Sequence, residues 1–186
     1  MLKTLSKTIL RLAGWKLQTV TPTENKFILI GAPHTSNWDF PLGLLTFWTL
    51  DFKIHWVAKI QMFRGPLYYL FTALGGIPVD RSVPQGFIQQ ITDRFNQAEK
   101  MVLTIAPEGT RSKTEYWKSG FYHIALAANV PICFGYIDYK KRELGFYKLM
   151  HPSGDIDADM KVIADFYKNI TGKRPELKGP VRIRTD

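Results

Sequence analysis

The feature that most constrains this chain is a series of short, unbroken apolar runs, each followed by residues with helical spacing. Residues 27–30 are four apolar side chains in a row within KFILIGAP (26–33), and MVLTIAP (101–107) and PICFGYID (131–138) repeat the pattern. A strand with one face in water alternates apolar and polar residues, so a continuous run fits a strand covered on both faces. KIHWVAK (53–59), GIPV (76–79) and FYKLMHP (146–152) add further strands. Between them lie helical stretches: 38–50, where Pro41 is tolerable only in the first turn, then 63–74, 86–100, 120–128, and 157–172 closing at Gly172. Strands alternating with helices imply an α/β fold, a central mostly parallel or mixed sheet flanked by helices.

No linker, low-complexity tract or fixed-period repeat interrupts the 186 residues, and that length suits one core. The expected organisation is a single domain spanning 1–186. It consists of an N-terminal amphipathic helix (1–20), a motif-bearing core (27–138), and a C-terminal strand and helix (139–186) whose basic tail, KGPVRIRTD, is loosely held.

The formal net charge of +9 calls for a negatively charged partner: nucleic acid, an anionic lipid surface or a phosphorylated substrate. The basic residues are dispersed, and neither zinc-finger spacing nor an RNA-recognition signature occurs, which disfavours nucleic acid. One cysteine, Cys133, excludes an intramolecular disulfide and multi-cysteine metal clusters; within an apolar run it suits a buried structural thiol.

A membrane span needs ~20 mainly apolar residues, and the longest uncharged stretch, 119–137, is broken by His123, Asn129 and Pro131. No transmembrane helix is expected. At the N-terminus, Leu2, Leu5, Ile9 and Leu12 recur at helical spacing with Lys3, Lys7 and Arg11 on the other side. Such a helix either lies in an anionic membrane interface or packs its leucines on the domain's own core.

GAPHTSNWDF (31–40) sets His34 and Asp39 five residues apart at a strand-to-helix junction. In α/β sheets, loops at the carboxyl ends of strands carry sites. With Asp39 in the first turn of the following helix, the dipole favours its ionised form. Its carboxylate can then hold one imidazole nitrogen and leave the other to accept a proton, a histidine–aspartate pair without a serine. Such a base must activate a substrate group. The bland alternative is an aspartate capping a helix beside a hydrogen-bonded histidine.

GGIPVDR (75–81) and IAPEGTRS (105–112) place Arg81 and Arg111 after two further strands. Two guanidinium groups at one sheet edge suit a phosphate, while each alone fits a surface charge or an ion pair with Asp80 or Glu108. Gly109 permits a sharp turn or close approach to a ligand, and Glu108 either positions the acceptor or steers an arginine.

Taken in order, HTSNWD (34–39), GGIPVDR (75–81), PEGTRS (107–112) and VPI (130–132) resemble the four motifs of the glycerolipid acyltransferases, the lysophosphatidic acid acyltransferase family. The resemblance runs from about Phe27 to Asp138. It implies His34 as general base, Asp39 as its partner, and Arg81, Glu108, Gly109, Thr110 and Arg111 at the acceptor phosphate, with Lys118 as a further basic residue or else a solvated lysine. The implied reaction moves a fatty acyl group from acyl-CoA or acyl carrier protein to a hydroxyl of a lysophospholipid such as 1-acylglycerol 3-phosphate. No metal or organic cofactor is implied; the acyl thioester is a co-substrate. The implied partners are lysophospholipid acceptor, acyl donor and an anionic membrane surface without nucleic acid, and the implied location is cytoplasmic, peripheral on the inner face of the membrane.

The chain departs from the family pattern at Pro33, where many members have Asn, at Gln61, where Glu is frequent, and at Phe134, which replaces a second proline. These leave the proton chemistry intact and bear on the acceptor and acyl channel. The aromatic stretches 40–50 and 63–74 suit core, or else an acyl groove or lipid contact through Trp48, Tyr68, Tyr69 and Phe71, with Lys59 and Arg64 nearby. His55, His123 and His151 lack a carboxylate or metal-ligand pattern and read as structural or exposed. Two rival functions remain: a catalytically silent lipid-binding surface module, and an acyl thioester or ester hydrolase, although no GxSxG elbow is present.

Overall fold

A computed structural model describes residues 1–20, 22–79 and 84–184. Its strands are β1 (Lys16–Thr19), β2 (Lys26–Gly31), β3 (Ile54–Lys59), β4 (Gly76–Val79), β5 (Met101–Ile105), β6 (Ile132–Asp138) and β7 (Glu143–Met150). The α-helices are α1 (Leu2–Leu12), α2 (Asp39–Leu50), α3 (Pro66–Ala73), α4 (Pro84–Gln97), α5 (Gly120–Ala127) and α6 (Ile156–Tyr167). All seven strands form one sheet in the order β1-β7-β6-β2-β5-β3-β4. Only the β6–β7 pair is antiparallel, so the sheet is mixed, as expected.

The central strands are apolar throughout because both faces are covered. Ile28, Ile30, Leu103, Ile132 and Phe134 point into the larger core, packed with Ile91 and Phe95 of α4, Phe121 and Ile124 of α5 and Ile163 and Tyr167 of α6. The alternate residues Phe27, Leu29, Val102 and Cys133 join Phe47 of α2 on the opposite face. Buried Cys133 has its thiol pushed up to about 12 by desolvation, so it stays protonated and inert.

Two features differ from the sequence expectation, the extent of the N-terminal helix and the hold on the tail. The amphipathic helix does not run through 1–20: it stops at Leu12, Gly14 turns the chain at φ 74°, and β1 pairs parallel with β7 at the sheet edge. Four half-exposed residues carry too little local pattern to announce a strand. Its stability comes from β7, which approaches so closely that a Cβ on Gly145 would meet the Gln18 carbonyl oxygen at 1.7 Å.

The helix α1 buries Ser6 and Leu10, whereas Leu2, Leu5, Ile9 and Leu12 are 40–83% exposed. Its leucine face is thus not the one packed on the domain. Likewise α3 has no buried residue: Leu67, Tyr68, Tyr69 and Leu70 are largely exposed, while the Phe71 ring joins Phe63 and Trp56 beside the edge strand β4 and the Tyr68 ring meets Phe63 edge-on. The tail is also held, not loose. The Lys178 ammonium donates to the Tyr167, Lys168 and Ile170 carbonyls at the end of α6 at 2.7, 3.0 and 2.8 Å, and Trp117 bridges Ile183. Among the described residues no helix is long and apolar enough to cross a membrane.

Candidate active site

Parallel β2, β5 and β6 deliver their carboxyl ends to one edge of the sheet, with Ile30 beside Ile105 and Gly31 beside Gly135. The loops that follow these strands therefore meet. After β2 the chain passes through buried Ala32 and Pro33 to His34, then turns through 35–38 into α2, whose first residue is Asp39.

His34 Nδ1 lies 3.0 Å from Asp39 Oδ2. That same oxygen accepts the backbone N–H groups of Thr35 and Ser36, both at 3.0 Å, so the loop wraps its own aspartate. Burial alone would raise the Asp39 carboxyl. Hydrogen bonds from His34, Tyr139 and the Ser36 N–H more than offset this and hold it below the usual range. An ionised carboxylate favours the imidazole tautomer with hydrogen on Nδ1, which leaves Nε2 to accept a proton. The His34 side chain keeps 21% of its surface exposed.

Glu108, expected at the acceptor phosphate, has a different contact. It is buried, and its Oε1 accepts the His34 backbone N–H at 3.0 Å, while Oε2 has no hydrogen-bond partner. Burial pushes its carboxyl above the usual range. Glu108 thus braces the histidine's backbone from beneath.

Both His34 and Asp39 line a cavity of about 480 Å³ between α2 and the sheet. That volume lies in the ~300–1,000 Å³ range of small-ligand pockets. Phe40, Leu44 and Phe47 of α2 line it together with Leu29, Ile54 and Trp56 of the sheet. Gly31 and Gly135 line it without side chains, and Gly145, whose missing Cβ would point at the β1 backbone, also lies in its wall. A Cβ on Gly135 would sit 2.9 Å from Leu29 Cδ1, whereas one on Gly31 would meet nothing within 4 Å. Gly31 is the position where a side chain would simply fill the cavity.

The charged end of the cavity is formed by Arg111, Thr110 and Gly109, with Lys59 also in its lining. Gly109 adopts φ 68°, and Lys118 packs beside it, its Cγ 3.6 Å from where a Gly109 Cβ would stand. Arg111 and Lys118 are exposed. Arg81 lies outside the described residues.

Sequence reasoning missed Tyr139. Its hydroxyl donates to Asp39 Oδ1 at 2.7 Å, occupying the oxygen that the histidine loop leaves open. The signal was available: Tyr139 directly follows β6, and the rule that sites gather at carboxyl ends of strands applies to β6 as it does to β2.

Comparison with known proteins adds three findings. The sequence model of the family described as Acyltransferase matches residues 16–134. Among solved structures, the fold is similar to the 1-acyl-sn-glycerophosphate (LPA) acyltransferase PlsC from Thermotoga maritima, with a TM-score of 0.60 over 90% of this chain and 75% of that one. The two are 15% identical, so this likeness speaks to fold alone. No curated protein sequence matches.

Proposed function

Since this chain belongs to the acyltransferase family, we propose that it transfers a fatty acyl group from an acyl thioester to a hydroxyl of a lysophospholipid such as 1-acylglycerol 3-phosphate. The observation that carries this reading is the His34–Asp39 pair, 3.0 Å apart, set in the wall of an apolar cavity with an arginine at its charged end. Asp39 holds Nδ1–H, and Nε2 takes the proton of the acceptor hydroxyl as its oxygen attacks the thioester carbonyl. The tetrahedral intermediate then expels the thiolate, which leaves with the proton carried by the imidazolium. An ester forms, a C–S bond breaks, and no group on the protein is acylated.

Arg111, with Lys118 and Arg81, anchors the acceptor phosphate; guanidinium supplies forked, permanently charged donors for that purpose. Gly109 and Thr110 shape the approach, and Glu108 acts through the backbone of His34. The acyl chain occupies the space between α2 and the sheet. Either coenzyme A or acyl carrier protein serves as carrier.

The exposed leucine face of α1 and the exposed apolar residues of α3 support action at an anionic membrane surface, peripheral and facing the cytoplasm. Lysines and arginines near such a surface contribute ~1 kcal/mol each. The protein carries a formal net charge of +9.

The chain-length test is direct. Gly31→Val puts two methyl groups into open cavity space at a strand position that tolerates β-branching. Its kcat/KM with a 16-carbon thioester, relative to a 10-carbon one, is expected to fall about tenfold or more, with little change in melting temperature. Equal loss at every chain length, or none, would remove the acyl chain from this cavity.

A further inference from the structure

Asp39 is held by two kinds of donor. His34 Nδ1 and the N–H groups of Thr35 and Ser36 all reach Oδ2 from the loop that Asp39 itself closes. They fix the carboxylate within that loop but not the loop against the sheet. The Tyr139 hydroxyl, which reaches Oδ1 at 2.7 Å, comes from a hundred residues away, just past the end of β6. Its backbone N–H donates to the Thr171 carbonyl at 2.9 Å, and the segment after Thr171 presses on the same loop. Arg174 N–H donates to Thr35 Oγ1 at 3.2 Å, and a Cβ on Gly172 would meet that oxygen at 2.6 Å. On its other side the Tyr139 ring takes the edge of Trp15, with centroids 5.2 Å apart and planes at 87°. Trp15 follows the turn that ends α1, and its N–H donates to the Leu10 carbonyl at 2.9 Å.

We propose that Tyr139 is a positioning residue of the catalytic pair: its hydroxyl fixes Asp39, and hence His34, to the sheet, and Trp15 seats its ring. This rests on the general-base reading of His34. An edge-to-face aromatic pair favours one ring orientation, so Trp15 biases how the Tyr139 ring sits. Through Trp15 the surface helix α1 stands two contacts from the catalytic carboxylate, which connects the seating of that helix to the orientation of the pair. Burial and the neighbouring carboxylate keep the tyrosine protonated, so it serves as a donor and not as a base. The titratable groups bearing on Asp39 are His34, Tyr139 and Glu108, with Arg111 and Lys59 the cations in the shared cavity lining.

Tyr139→Phe keeps the ring and its contact with Trp15 and removes one hydrogen bond to a charged group. In steady-state assays its kcat is expected to fall about tenfold, with KM for donor and acceptor within about twofold. The lost donor leaves more negative charge facing the imidazolium, so the acidic limb of the kcat/KM profile moves to higher pH. Trp15→Ala is expected to lower kcat in the wild-type background and to add little in the Tyr139→Phe background, because the two act through one contact. Wild-type kcat and an unmoved pH profile in Tyr139→Phe would overturn the proposal. So would an activity loss that only tracks a lower melting temperature, or additive losses in the double variant. His34→Ala run in parallel separates the two ideas: if it stays active, the general-base reading fails; if it is inactive while Tyr139→Phe keeps the wild-type kcat and pH profile, only the role of Tyr139 fails.

Discussion

Replacement of His34 by alanine is expected to lower kcat at least about 100-fold, while melting temperature and binding to anionic vesicles stay near those of the unaltered protein. General-base action contributes ~10²–10⁴ in rate, and among the described residues no other imidazole lines the cavity. The fold should tolerate the change because His34 is partly exposed and its buried partner keeps three donors, the Thr35 and Ser36 N–H groups and the Tyr139 hydroxyl. The Glu108 carboxylate also keeps its hydrogen bond, since it is made to the His34 backbone. Steady-state kinetics beside a thermal melt check this. A silent lipid-binding module would show no acyl transfer to lose, and the substitution would leave its membrane binding untouched.

The second large effect concerns Arg111. Arg111→Ala is expected to lower kcat/KM for the phosphorylated acceptor about 10- to 100-fold, the range for losing forked, charge-assisted hydrogen bonds to a phosphate. The KM for the acyl thioester should move less than about twofold. Arg111 lies at the charged end of the cavity, beside Thr110 and Gly109, whereas the acyl chain is assigned to the apolar stretch between α2 and the sheet. Varying acceptor and donor separately reads the two effects. Equal damage to both substrates would contradict this division of labour, as would full activity of the variant. Arg111→Lys should recover only part of the loss, since an ammonium group keeps the charge without the planar fork.

The sheet was legible because its central strands declare themselves locally. Phe27, Ile28, Leu29 and Ile30 are apolar on both faces since two cores need them, and the same holds for β5 and β6. The strand β1 was not legible, because Lys16–Thr19 acquires its structure from a partner more than a hundred residues away. The exposed faces of α1 and α3 were visible as apolar periodicity, but periodicity cannot say whether water, lipid or protein covers them.

In the site, His34 and Asp39 could be paired from sequence since both belong to one short loop, where spacing nearly dictates geometry. Glu108 was found, but its direction was not. Adjacent β2 and β5 end in register, at Ile30 and Ile105, and that brings the carboxylate under the His34 backbone instead of out toward a headgroup. Tyr139 and the cavity depend on register across several strands. The glycines at 31 and 135 look like unrelated turn punctuation until the pairing of β2 with β6 sets them side by side in the cavity wall.

The most direct test of direct acyl transfer is the mass of the products formed by the purified protein from an acyl thioester, with and without a lysophospholipid acceptor. Acylated acceptor equal to the thiol released is expected, with little free fatty acid when the acceptor is left out and no acyl group retained on the protein in rapidly quenched samples. Free fatty acid released at the same rate with or without acceptor would make the protein a hydrolase, and a stable acyl group on a side chain would contradict a mechanism in which His34 activates the acceptor itself.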